Sequence, residues 1–152
     1  MSIQQAYLTK TPSSAAFEER GHASLPIVSS RGIAYHAPYP LLVQRAQGPF
    51  LWDADGARYI DLASNLYSLV HGNAYPPIVE AVTRQVANGS VWPANSQQLV
   101  SLAELLRSRL PSVEQIMFCN SGTEAFSLAL NLARGATGKH KFLMPWGGYQ
   151  GQ

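Results

Sequence analysis

The chain has 152 residues, 46% of them hydrophobic and 13% charged, with a formal net charge of +2. So near-neutral a balance gives no electrostatic basis for binding nucleic acid or an anionic membrane, and no apolar run approaches the ~18 residues that span a bilayer. The single cysteine, Cys119, cannot form an internal disulfide, which fits a reducing, cytoplasmic setting.

Residues 1–35 are polar and mixed, and the start, Met1–Ser14, has no apolar core of signal-peptide type. They read as an amino-terminal arm, ordered only where something packs on it, with one short helix around residues 15–20. Residues 36–75 form a small β-rich segment and a loop. Leu41-Leu42-Val43 and Phe50-Leu51-Trp52 are strand-like, broken by Gly48-Pro49. Asp55-Gly56 is a hairpin signal, and Arg58-Tyr59-Ile60-Asp61-Leu62 is the return strand. Asp53-x-Asp55-Gly56 superficially matches the start of a calcium loop, but the rest of that loop is missing and a turn is expected. Residues 63–75 are irregular and polar, the kind of long loop that often carries binding. His71 has no second ligand or base partner at a useful spacing, and no metal site is expected.

Pro76-Pro77 opens a helix, with Ile78, Val79, Val82 and Val86 on one face and Gly89 as its stop. Residues 97–110 form a second amphipathic helix, with Leu99, Leu102, Leu105, Leu106 and Leu110 facing inward and Pro111 ending it. Next come a strand-length apolar run at 114–119 and then Ser121-x-x-Glu124, a capping box that ties off amides at a helix start. Phe126, Leu128, Ala129, Leu130, Leu132 and Ala133 cover a broad face at helical spacing, and Gly135 stands where a left-handed cap belongs. A second strand-length run, Lys141-Phe142-Leu143-Met144-Pro145, ends at Gly147-Gly148-Tyr149. Cys119, at a strand end, is expected to be buried.

Residues 114–145 thus read as strand, helix, strand, a crossover that is parallel and right-handed. Ligands of parallel sheets bind beyond the carboxyl ends of the strands, where Ser121-Gly122-Thr123 and Gly147-Gly148-Tyr149 both fall. The first loop opens a helix and suits a phosphate; the second offers an aromatic platform. Together they suit a flat phosphorylated cofactor. Either loop alone is ordinary, since many Ser-x-x-Glu boxes cap helices that bind nothing.

The ordered run Asn120-Ser121-Gly122-Thr123-Glu124-Ala125, Leu132-Ala133-Arg134-Gly135-Ala136-Thr137-Gly138-Lys139 and Gly148-Tyr149-x-Gly151 resembles the class III aminotransferases. Upstream, Gly48-Pro49-Phe50-Leu51-Trp52-Asp53 and Ile78-Val79-Glu80-Ala81-Val82 extend it, so that it covers roughly residues 40–151. The short spacing is most similar to the glutamate-1-semialdehyde aminomutase branch. The resemblance implies an α/β fold, the amino-terminal part of a type I pyridoxal-phosphate fold, in which residues 76–152 begin a large cofactor-binding domain. It implies pyridoxal 5'-phosphate as cofactor, with its phosphate on Ser121, Gly122 and Thr123 and its ring on Tyr149. It also implies a small amino compound as substrate, approached by Asn65 and Tyr67, and a homodimer built partly by the arm.

Three departures stand out. Gln150 occupies a position usually held by His in the family, Gly72-Asn73-Ala74-Tyr75-Pro76 replaces a Gly-His-Ala-His-Pro run, and a tryptophan common among the aminomutases is replaced near Leu66. Lys10, Lys139 and Lys141 are the only lysines, and none matches the family's Schiff-base lysine, which is expected beyond Gln152. On that reading the chain is a transaminase or aminomutase fragment, inactive alone. The alternative is a truncated, non-catalytic binding or assembly module of the same fold. A dinucleotide-binding enzyme or a P-loop protein is not indicated, because neither glycine signature is present.

Overall fold

The computed structural model describes residues 1–29 and 34–150. Residues 30–33 of the arm and Gly151 of the Gly-Tyr-x-Gly run lie outside the described residues. Two compact units divide the chain, Met1–Ser90 and Val91–Gln152.

The first unit is organised on an antiparallel sheet, β1 (Val43–Gln47), β2 (Phe50–Asp53) and β3 (Arg58–Ile60), in that order. Gly48, at φ +52°, and Pro49 make the first turn, so that Gln47 pairs with Phe50. β1 starts at Val43 rather than Leu41 and carries a bulge before Arg45. The second turn is the expected one, with Gly56 at φ +86°. Asp53 shapes it: Oδ1 accepts from the amides of Asp55 (3.1 Å) and Ala57 (2.8 Å), and Oδ2 from the Tyr59 hydroxyl (2.7 Å). Asp53 is therefore buried but satisfied, the work of a turn rather than of a metal ligand.

The arm is two helices, not one: α1 (Ile3–Lys10) and α2 (Pro12–Gly21). A full capping box starts α1, with Ser2 Oγ accepting from Gln5 N (3.1 Å) and Ser2 N donating to Gln5 Oε1 (3.0 Å). Polar contacts fasten both helices to the β segment. The Tyr7 hydroxyl donates to Tyr39 O (2.7 Å), Leu42 N to Ser14 Oγ (3.0 Å), and Ser13 Oγ to Asp55 Oδ1 (2.6 Å). Thr11 and Ser14 are each 1% exposed, with Val28 and Tyr39 as the buried apolar neighbours of the unit. A Cβ on Gly21 would meet Val28 Cγ1 at 2.5 Å, so only glycine lets α2 close on Val28.

The single turn α3 (Ser64–Tyr67) and then α4 (Pro76–Ala87) follow within the same unit, α4 led by its two prolines as expected. The second unit holds α5 (Gln97–Arg109), whose cap Ser96 Oγ accepts from Leu99 N (3.3 Å), and α6 (Gly122–Thr137). Four expectations change here. The stripes Ile78, Val79, Val82 and Val86 on α4 and Leu99, Leu102 and Leu105 on α5, with Leu110 just beyond it, are exposed rather than inward. Among the described residues of its own unit no element packs on α4, and α5 and α6 do not pack on each other. Residues 114–119 and 141–145 form no strand, since a strand is defined by a hydrogen-bonded neighbour and neither run has one among the described residues. Cys119 is accordingly exposed, not buried. Finally, Gly135 lies inside α6, and the left-handed cap is Gly138 at φ +66°, whose amide donates to Arg134 O (2.8 Å).

Candidate functional site

Ser121, Gly122 and Thr123 stand together at the amino end of α6 because the capping chemistry puts them there. Ser121 is extended (φ −148°, ψ 159°), and its Oγ accepts from Glu124 N at 3.2 Å. The reciprocal half falls one residue earlier than in a standard box: Glu124 Oε2 accepts from Asn120 N at 2.7 Å. That bond turns the only first-turn carboxylate back along the incoming chain. The helix start is left with hydroxyls, amides and its positive dipole end, a donor set that fits a phosphate. A Cβ on Gly122 would meet nothing within 4 Å, so the approach to this end is open.

Tyr149 lies in the same unit, just after a turn in which Gly148 N donates to Pro145 O (3.0 Å). Gly147, at φ +71°, is the third residue of that turn, a position that suits glycine. The Tyr149 ring is 83% exposed, so one face can take a flat partner. Gln150 folds back over the turn: a Cβ on Gly148 would lie 3.4 Å from its Nε2.

Asn65 and Tyr67 belong to the first unit, on the single turn α3 (Ser64–Tyr67). Ser64, Asn65, Leu66 and Tyr67 have φ of +43°, +50°, +56° and +65°, a left-handed turn built without glycine. Such backbone costs about 1–2 kcal/mol per residue. Asn65 Nδ2 donates to Ser68 Oγ (3.0 Å), while Tyr67 is 83% exposed.

What holds this turn is a set of residues that sequence reasoning passed over. Asp61 Oδ1 accepts from Ala63 N (3.2 Å) and Ser64 N (2.8 Å), and Oδ2 from Asn73 Nδ2 (2.9 Å). Asn73 is itself pinned to the sheet, its N and Nδ2 donating to Gly48 O (2.9 and 3.1 Å) and its O accepting from Gly48 N (2.8 Å). The Asn73 bond and then the Ser64 amide hold the Asp61 carboxyl below its usual range. Hydrogen bonds to a charged group contribute about 1.5–3 kcal/mol each, so three of them match the left-handed cost in order of magnitude. The signal in the sequence was Asp61 two residues before Ala63, the spacing of an Asx-type turn.

The comparisons with known proteins decide the family. A family model described as aminotransferase class-III matches residues 33–152. This chain belongs to the class III aminotransferases. It is 39% identical over 143 residues to a glutamate-1-semialdehyde 2,1-aminomutase of Rhodopirellula baltica, covering 92% of this chain and 33% of that one. Its fold matches the crystal structure of a β-phenylalanine aminotransferase from Variovorax paradoxus with a TM-score of 0.93 and 35% identity, over 97% of this chain and 34% of that one. It also matches an ω-transaminase from Sphaerobacter thermophilus with a TM-score of 0.80 and 42% identity, over 83% and 29% of the two chains. The chain thus spans 26–33% of the length of these curated relatives. The likeness to solved transaminases carries the type I pyridoxal-phosphate fold that the sequence implied. Among the described residues no helix is long and apolar enough to cross a membrane.

Proposed function

We propose that this class III aminotransferase chain is part of a pyridoxal-phosphate-dependent transaminase or aminomutase that moves an amino group on a small amino compound. The observation that carries the reading is the amino end of α6. There a capped helix start presents Ser121, Gly122 and Thr123, with its one acidic side chain turned onto Asn120 N. Ser121 and Thr123 would hold the cofactor phosphate and Tyr149 would support its ring. When bound, pyridoxal phosphate supplies the electron sink for amino transfer. Asn65 and Tyr67 would meet the substrate. Residues 76–152 would open the cofactor-binding domain, 36–75 would form the small β-rich segment, and the arm at 1–35 would help to build a homodimer. The lysine that carries the cofactor is proposed to lie outside residues 1–152. Lys10 ends α1, and Lys139 follows the carboxyl cap of α6, a helix whose 16 residues span about 24 Å from the phosphate seat.

The test is the absorbance spectrum of the full-length protein with pyridoxal phosphate, titrated with a panel of amino compounds. A cofactor band that some amino donor bleaches is expected, with borohydride trapping the cofactor on one lysine outside residues 1–152. No band, or trapping at Lys139 or Lys141, overturns the reading.

A further inference from the structure

The left-handed turn Ser64–Tyr67 is unusual in what it does not do. Its residues bury no core: Leu66 is 55% exposed and Tyr67 83%, and Val70, just beyond, is 87% exposed. A costly backbone conformation that gains nothing from burial persists only where its surroundings over-determine it. The surroundings here are specific. The Asp61 carboxylate caps the turn from before, and Asn73 closes it from behind by donating to that same carboxylate. Gly72 lets the loop come home: at φ +76°, a Cβ there would stand 3.0 Å from Gly48 O. The backbone pairing of Asn73 with Gly48 then fixes the return point on the sheet.

We infer that Asp61 and Asn73 are positioning residues that latch the loop 62–72 so that it displays Asn65 and Tyr67 to the amino substrate. The latch is a property of this unit alone. The display role rests on the amino-transfer reading above. Neither residue need touch substrate or cofactor. Asn73→Ala removes both side-chain bonds while leaving the two backbone bonds to Gly48, so the sheet attachment survives and only the latch is lost.

The experiment compares the full-length wild type with Asn73→Ala, Asp61→Asn and Asn73→His, the last keeping a side-chain N–H donor. Two readouts are taken: amide hydrogen exchange over 62–72, and KM and kcat for whichever amino donor bleaches the cofactor band. In Asn73→Ala and Asp61→Asn, exchange at Tyr67, Leu69 and Gly72 should quicken by about 10-fold to 100-fold, the scale of one charged hydrogen bond. KM should rise with it while kcat and cofactor affinity change less, and Asn73→His should recover most of both. Unchanged exchange overturns the latch. Faster exchange with unchanged KM overturns the display role and leaves a structural latch. A wild type lacking the cofactor band overturns the amino-transfer reading and the display role with it, while exchange alone still decides the latch.

Discussion

The Tyr59 hydroxyl donates to Asp53 Oδ2 at 2.7 Å, closing the β2–β3 turn over a buried carboxylate. Burial first, and then this bond to an anion, push the phenol from 10.0 to about 12. The folded form therefore keeps a proton that the unfolded chain gives up. Stability from Tyr59 should be whole below pH 10, fall as pH rises from 10 towards 12, and change no further above that. Urea midpoints measured across this window should drop more for the wild type than for Tyr59→Phe, in which Tyr7, also raised above 10.0 by burial, still titrates. Equal slopes for the two proteins would mean that another group accounts for the drop.

That turn was legible because its causes are local. Asp55-Gly56 needs only a left-handed glycine, and Ser121 needs only an amide three residues on. Where a neighbour must be supplied, the sequence misled. Residues 114–119 have strand composition but no partner among the described residues, so Cys119 is exposed. Gly135 failed as a stop because Ala136 and Thr137 carry α6 on to Gly138. The turn Ser64–Tyr67 was missed, although Asp61 stood two residues before Ala63 as an Asx-turn signal. Nothing in Ser-Asn-Leu-Tyr announces four positive φ angles, since the cause sits twelve residues apart in Asp61 and Asn73. The capped helix start at Ser121 was easier to see, because Ser121-x-x-Glu124 is a local signal.

Gly72 should tolerate alanine less well than Gly56 does. Alanine in place of Gly72 meets both a left-handed φ of +76° and the Gly48 backbone, with Gly48 O at 3.0 Å and Gly48 C at 3.1 Å. The conformation alone costs about 1–2 kcal/mol, and the close approach adds to it because backbone cannot rotate away. Gly56→Ala is the control, since its φ is also positive but its Cβ would meet nothing within 4 Å. Denaturant unfolding should show Gly72→Ala the more destabilised; equal losses would show that Gly48 yields freely.

Asp61 sets an acid limit on the same loop. Its carboxyl is held below 3.8 chiefly by Asn73 and then by the Ser64 amide. The stability it contributes is present above that pH and is lost as pH falls through the lower folded value. Hydrogen exchange across residues 62–72 should therefore quicken at acid pH, after correction for intrinsic rates, ahead of exchange in β2. In Asp61→Asn the loop should already be open at neutral pH and lose this dependence. A wild-type loop that opens only together with β2 would show that Asp61 is not its acid-sensitive group.

The phosphate seat is tested by separating affinity from stability. Ser121 Oγ caps Glu124 N, so Ser121→Ala should lower stability by about 1 kcal/mol whether or not a ligand binds there. Thr123, one residue inside the helix, supplies a hydroxyl beside the same open end. A hydrogen bond from it to a charged phosphate would contribute about 1.5–3 kcal/mol. Thr123→Ala in the full-length protein should then weaken pyridoxal phosphate by roughly 10-fold to 100-fold, at about 1.4 kcal/mol per decade. Tyr149→Ala should also weaken it and shift the cofactor's absorbance through lost stacking, whereas Tyr149→Phe keeps the ring and should do less. Equilibrium titration of cofactor, paired with urea unfolding of each variant without cofactor, reads the two quantities apart. If Thr123→Ala and Ser121→Ala both lower stability and neither changes cofactor affinity, the amino end of α6 is a cap and the phosphate sits elsewhere.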